Sequence, residues 1–173
     1  MEIRDLVLEI RTSKILFKEY QKYFRSNPKE YKNLIELIIE EEAYPIPEYA
    51  SWILSHLCKT DASVVQSFYN TIVDKLFFIK NPSVRRNLIN VIDHLEITNY
   101  RESELIDLLL SFINDFENKV AVQVYSIQVL TKFVKKYHEL KSEVAEVIEL
   151  NSENKSPAYS ASSRKFYKKT KHI

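Results

Sequence analysis

The sequence predicts an all-α fold of stacked antiparallel helix pairs. Three observations predict it. Apolar residues recur at i, i+3 and i+4 from one end of the chain to the other, and period-two alternation is never sustained. An apolar frame repeats after 38 residues. Glycine is absent, where average usage would supply about a dozen. Without glycine, positive-φ hairpin turns lose their best residue, whereas helices capped by Asn, Asp, Ser and Pro remain easy to build.

The elements follow in order. Residues 2–25 carry Ile3, Leu6, Val7 and Ile10, then Leu16, Phe17, Tyr20, Tyr23 and Phe24, with Thr12 and Ser13 marking a break between two segments. Asn27-Pro28 stops one helix and starts the next, because proline fits the first helical position. That next helix holds Tyr31, Leu34, Ile35, Leu37 and Ile38 and ends in Glu40-Glu41-Glu42. Pro45 and Pro47 punctuate again and open a helix over 47–59 with Tyr49, Ala50, Ile53, Leu54 and Leu57. Asp61 is expected to cap a helix bearing Val64, Val65, Phe68, Tyr69, Ile72, Val73 and Leu76. Asn81-Pro82 opens the helix of the stretch NPSVRRNLINVIDHL. Further helices are expected over 102–116, 119–137 and 140–150, and Ser156-Pro157 reads as cap and first residue of a last, basic helix.

The stretch beginning at Asn81 is one of three copies. Shifts of 38 residues align Ile46 with Val84 and Val122, Ala50 with Leu88 and Ser126, and Ile53 with Val91 and Val129. They also align Leu54 with Ile92 and Leu130, and Leu57 with Leu95 and Phe133. Intervening helices align near a 37-residue shift, Phe68 with Leu105, Ile72 with Leu109 and Leu76 with Ile113. Two helices and two turns account for this spacing. Each pair has an apolar seam that it cannot bury alone, and stacking makes the core continuous.

On these residues, and above all on Asn81-Pro82-x-Val84-Arg85 followed by Leu88, Ile92 and Leu95, the chain resembles the HEAT-like (armadillo-type) helical-repeat family. The resemblance implies a right-handed α-α superhelix in a single domain over 1–173. Residues 2–44 would be degenerate N-terminal helices, in which Ile15 and Leu16 match Ile53 and Leu54 but Glu19 stands where Leu57 should be. Repeat units would cover 46–79, 82–116 and 119–150, and 156–170 would be a basic capping helix. The family's usual glycine or small residues after the first helix are missing. The closing SPAYSASSRKF is similar to the capping helix of short bacterial HEAT-like proteins that sometimes carry the label adenylosuccinate lyase. That superfamily's mobile loop needs Ser-Ser-x-Met-Pro-x-Lys, and here Ser162-Ser163 runs into Arg164-Lys165-Phe166.

Composition narrows the function further. A formal charge of +1 gives no global field toward nucleic acid or an anionic membrane. With no glycine, phosphate-cradling loops of the Walker and dinucleotide types are excluded. A single cysteine, Cys58, forms no internal disulfide and supplies no metal-ligand spacing, which points to a reducing compartment, the cytoplasm. No apolar run approaches the roughly 20 residues of a membrane span. Charges at Glu2, Arg4, Asp5 and Glu9 interrupt any secretory apolar core. No cofactor, metal or catalytic set is expected: His94, His138 and His172 lack carboxylate or thiol partners at ligand spacing.

Candidate binding residues remain. Trp52 and His56 share a helix face, either as a pair in a groove or as interface packing. Arg85 and Arg86 follow Val84. By the family's habit Arg85 pairs with an aspartate of the adjacent turn, Asp61, and the alternative is a phosphate clamp. Second-helix positions such as Asn70 and Asp107 line the surface expected to form a groove, which is acidic and amide-rich rather than basic. Glu36, Glu40, Glu41, Glu42 and Glu48 form an acidic shoulder, and Arg164, Lys165, Lys168 and Lys169 form a basic tail interleaved with aromatics. The first functional expectation is a non-enzymatic scaffold for a protein partner. The second is a nucleic-acid binder resembling the larger HEAT-like proteins of DNA alkylation repair, acting through the basic tail. The lyase label is third.

Overall fold

A computed structural model describes residues 2–12, 14–40, 43–153 and 156–173, with the side chains of 10–17 left aside. Among the described residues the chain forms ten α-helices and no strand. It divides into two compact units, residues 1–95 and 96–173.

The first unit holds α1 (Ile3–Thr12), α2 (Lys14–Ser26), α3 (Lys29–Glu40), α4 (Ile46–Val65), α5 (Tyr69–Phe78) and α6 (Pro82–His94). Helix α4 is its centre, packed by α1, α3 and α6. The expected break at Thr12 and Ser13 lies partly outside the described residues, since α1 ends at Thr12 and Ser13 is not among them. Glu41, Glu42 and the side chains of Ile15 and Leu16 also lie outside. The second unit holds α7 (Glu102–Asn114), α8 (Val120–Lys136), α9 (Leu140–Leu150) and α10 (Pro157–Lys169). There α8 is the centre, packed by α7, α9 and α10.

The caps act as the residues dictate. The Asn81 side chain accepts from the backbone N–H groups of Ser83 and Val84, at 2.9 and 3.2 Å, with Pro82 next in line. Ser156 accepts from the N–H of Tyr159 at 3.3 Å, again before a proline. Where glycine would be the usual residue, Arg101 takes the left-handed conformation ahead of α7, at φ 49°.

Every residue of the five triplets aligned by the 38-residue shift is buried, none above 2 % exposed. The intervening frame holds at Ile72 with Leu109 and Leu76 with Ile113, but Phe68 is only half-buried while Leu105 is fully buried. Phe68 sits in a 3₁₀ turn, Gln66–Phe68, whose tighter winding rotates the frame, and Tyr69 is buried in its place.

Asp61 stands at a break between two helical stretches of α4, with non-helical backbone at φ −124° and ψ 33°, and its side chain is used for more than a cap. The carboxylate accepts from Arg25 Nε at 3.0 Å, the Tyr31 hydroxyl at 3.1 Å and Thr60 Oγ1 at 3.0 Å. It is thus engaged by α2 and α3 and not by Arg85, whose Nη2 donates to the Ile79 carbonyl at 2.9 Å. The expected Arg85–Asp61 pair is therefore corrected to Arg25–Asp61. Arg25 is half-exposed, so the ionic part contributes only about 0–1 kcal/mol.

Helix α10 is packed as an integral layer. Tyr159, Ser162 and Phe166 are buried, and Ser162 Oγ donates to the Val124 carbonyl of α8 at 3.3 Å. A 37-residue shift from α8 sets Tyr159 on Val122, Phe166 on Val129 and Thr170 on Phe133, all buried. The same shift sets Tyr167, 40 % exposed, on the fully buried Leu130.

The Tyr159 hydroxyl donates to the Ile148 carbonyl at 3.2 Å, and burial, with the neighbouring Tyr167, pushes its pKa up to about 12. A phenol that holds its proton more tightly when folded stabilises fully below pH 10 and progressively less as pH rises from 10 toward 12. Over that window the unfolding free energy should fall about 1.4 kcal/mol per pH unit more steeply in the wild type than in Tyr159→Phe. Urea titrations at about pH 9, 10.5 and 12 check this. Equal slopes in both proteins would remove Tyr159 from the alkaline transition.

Candidate functional site

The first unit carries a half-buried hollow between the start of α4 and the start of α6. It holds about 170 Å³ and is lined by Tyr44, Glu48, Tyr49, Trp52, Ser83, Arg86 and Asn87. Its aromatic wall comes from helical spacing: Tyr49 and Trp52 lie one turn apart on α4, and Tyr44 joins from the preceding turn with its ring 6.3 Å from that of Tyr49. His56 continues the stripe, its ring 4.4 Å from that of Trp52. His56 Nδ1 lies 3.1 Å from the Trp52 carbonyl and 3.2 Å from Ser55 Oγ, so this nitrogen is engaged locally.

The polar wall is held from behind. Buried Asn87 donates through Nδ2 to Ser51 Oγ at 3.0 Å, and Ser51 Oγ donates to the Glu48 carbonyl at 3.1 Å. Arg86 Nε donates to Asn87 Oδ1 at 3.2 Å, which fixes one edge of the guanidinium plane. Asn81 Nδ2 donates to Glu48 Oε1 at 2.5 Å, tying the cap of α6 to α4. The second carboxylate oxygen, Oε2, is shielded from water, and among the described residues no group donates to it. A shielded acceptor of this kind is uncommon in a folded protein.

Of the residues singled out by sequence, Trp52 and Arg86 meet here, and His56 stands beside them. Arg85 turns to the Ile79 carbonyl. Asn70 and Asp107 are exposed on α5 and α7. Arg164, Lys165, Lys168 and Lys169 are exposed on α10. Ser162 and Ser163 are spent inside that helix, donating to the Val124 and Tyr159 carbonyls, which leaves no mobile serine loop of the lyase kind at this position. The sequence alone does not mark Tyr44, Ser83 and Asn87 as site residues. By its pattern Tyr49 is a packing residue and Glu48 part of an acidic shoulder. The signal available was the run of Tyr44, Tyr49 and Trp52 around two prolines. Cys58 is fully buried, with Sγ 3.8 Å from the Val91 carbonyl. Among the described residues no three His, Cys, Asp or Glu side chains are placed to hold a metal ion, and no helix is long and apolar enough to cross a membrane.

Paired helices, an apolar frame that returns at a fixed interval and buried positions that match it define a helical-repeat scaffold. A family model described as a HEAT repeat domain matches residues 5–170, and the chain belongs to that family. No curated protein matches the chain, and no solved structure does.

Proposed function

We propose that this HEAT-repeat scaffold binds a segment of a partner protein across the hollow between α4 and α6. The observation that carries the reading is the meeting of Trp52, Tyr44, Tyr49 and Arg86 around one half-buried space with a prearranged polar back wall. Trp, Tyr and Arg are the residue types that dominate protein interfaces energetically. At about 170 Å³ the space is smaller than the roughly 300–1,000 Å³ of small-molecule sites, so it fits one side chain of a docked segment rather than a cofactor. Arg86 then takes a polar group of that segment. In this reading 46–79, 82–116 and 119–150 are successive units of a right-handed superhelix, preceded by 2–44 and followed by the helix at 156–170. The single buried cysteine supports placing the protein in the cytoplasm.

Affinity capture followed by titration tests it. A stoichiometric partner is expected, with Trp52→Ala weakening it about 30-fold, the effect of losing an anchor worth about 2 kcal/mol. Arg86→Ala should weaken it as well, and far-ultraviolet circular dichroism should show unchanged helix content in both. Full affinity in both variants would overturn the reading. The nucleic-acid alternative is tested in parallel by gel shift, with Arg164, Lys165, Lys168 and Lys169 changed to Gln. Steeply salt-dependent retention that is lost in this variant would favour nucleic acid.

A further inference from the structure

Two stripes of matching geometry and opposite charge stand at the two ends of the sequence. On α3, Asn33, Glu36, Leu37 and Glu40 share one face at i, i+3, i+4 and i+7. With Ile3 of α1 they line a hollow of about 380 Å³, apolar at Ile3 and Leu37 and acidic at Glu36 and Glu40. Among the described residues its lining has no aromatic anchor, which separates it from the hollow of α4 and α6. On α10, Arg164, Tyr167 and Lys168 share a face at i, i+3 and i+4, with Lys171 in the turn that follows. Tyr167 is 40 % exposed, and its hydroxyl is held by Glu149 at 2.9 Å, while Arg164 and Lys168 are exposed on either side of it.

The repeat register marks this exposure as a departure from the earlier copies. Tyr167 occupies the position that Leu54, Ile92 and Leu130 occupy in earlier first helices, and those three are fully buried. In a stacked-repeat protein such a position is covered by the neighbouring layer, and each layer presents its seam to the next.

We propose that a second copy of this chain covers it: the Arg164, Tyr167 and Lys168 face of α10 docks into the hollow between α1 and α3 of another molecule. Tyr167 then meets Ile3 and Leu37, and Arg164 and Lys168 meet Glu36 and Glu40. Glu36 already takes a nearby cation, the exposed Lys32 at 3.4 Å, and a docked arginine replaces that loose pair. Two different patches make the contact head-to-tail, so association extends with concentration. The contact uses neither Trp52 nor Arg86, and it stands or falls apart from the partner reading.

Sedimentation equilibrium on the intact chain tests it. At about 0.1 mM protein and about 50 mM salt the average mass should exceed that of one chain, and at about 500 mM salt it should fall toward one chain. Glu36→Lys with Glu40→Lys should weaken association at least about tenfold, and so should Arg164→Glu with Lys168→Glu, because each places like charges face to face. Mixing the two variants restores opposite charge at both kinds of contact and should restore the assembly. A wild type that stays at the mass of one chain overturns the proposal. So does a mixture that fails to reassociate. A monomeric wild type that instead binds a short DNA duplex, lost in the Arg164→Glu, Lys168→Glu variant, overturns it in favour of nucleic acid.

Discussion

Truncating Leu54, Ile92 or Leu130 to alanine should lower the unfolding free energy by about 2–5 kcal/mol in each case. All three side chains are fully buried in α4, α6 and α8. Removing a leucine or isoleucine side chain takes away its transfer free energy and leaves a space that neighbours fill only in part. How far they fill it sets the place within the range. Leu54 should fall in the upper half, because α4 is packed by α1, α3 and α6 at once and none of them can settle inward without losing contacts elsewhere. A domain of this size is stable by only about 5–15 kcal/mol, so each change removes a large share and should lower Tm by about 2–4 °C per kcal/mol. Urea titration followed by circular dichroism measures it, and the fluorescence of Trp52, two residues from Leu54, reports the first unit directly. Leu150→Ala is the control. That side chain is 68 % exposed and its loss should stay within about 0.5 kcal/mol. If Leu130→Ala behaved like Leu150→Ala, the 38-residue frame would not describe the packing.

The frame itself was legible in the sequence because it depends on local signals that repeat. Asn81-Pro82 caps and starts a helix wherever it stands in a chain, and the five triplets needed only their spacing. What escaped depends on partners far apart in sequence. Asp61 marks the break that its composition announces, but its bonds to Arg25 and Tyr31, 36 and 30 residues away, are not written in the local sequence. Tyr49 looks like a core residue by period, but its ring lines a hollow completed by Ser83, Arg86 and Asn87 from α6. Glu48 reads as one more surface acid until Asn81 reaches it from 33 residues on. Phe68 fails its alignment because a 3₁₀ turn shifts the phase, and nothing in the residues Gln66, Ser67 and Phe68 announces that winding. Of the seven residues that line the candidate site, Trp52 and Arg86 were readable by residue type, and the other five had to wait for the fold to bring α4 beside α6.

Phe166→Ala should cost about 3–5 kcal/mol, an effect as large as any in the core. The last helix reads in sequence as a basic tail, and its charges do face solvent. Its other face settles what the helix is. Phe166 is 1 % exposed, Tyr159 is 1 % exposed and Thr170 is fully buried, all on the α8 side of the second unit. A ring lost from that layer leaves a space lined by α8, which is itself packed by α7 and α9. Removing the charge of Lys169 should change stability by no more than about 0.5 kcal/mol, since that side chain is exposed. Hydrogen exchange read by mass spectrometry separates the two faces. In the wild type the amides of 160–169 should exchange only through opening of the packed layer, and in Phe166→Ala they should exchange much faster, while those of α4 keep their protection. Unchanged exchange in the variant would mean that α10 lies loosely on the surface. Fast exchange ties the two properties of this helix together: the apolar face that anchors α10 to α8 also holds Arg164, Tyr167 and Lys168 at fixed spacing. A Phe166→Ala chain should therefore lose its self-association along with its stability, although no residue of the docking face has been touched.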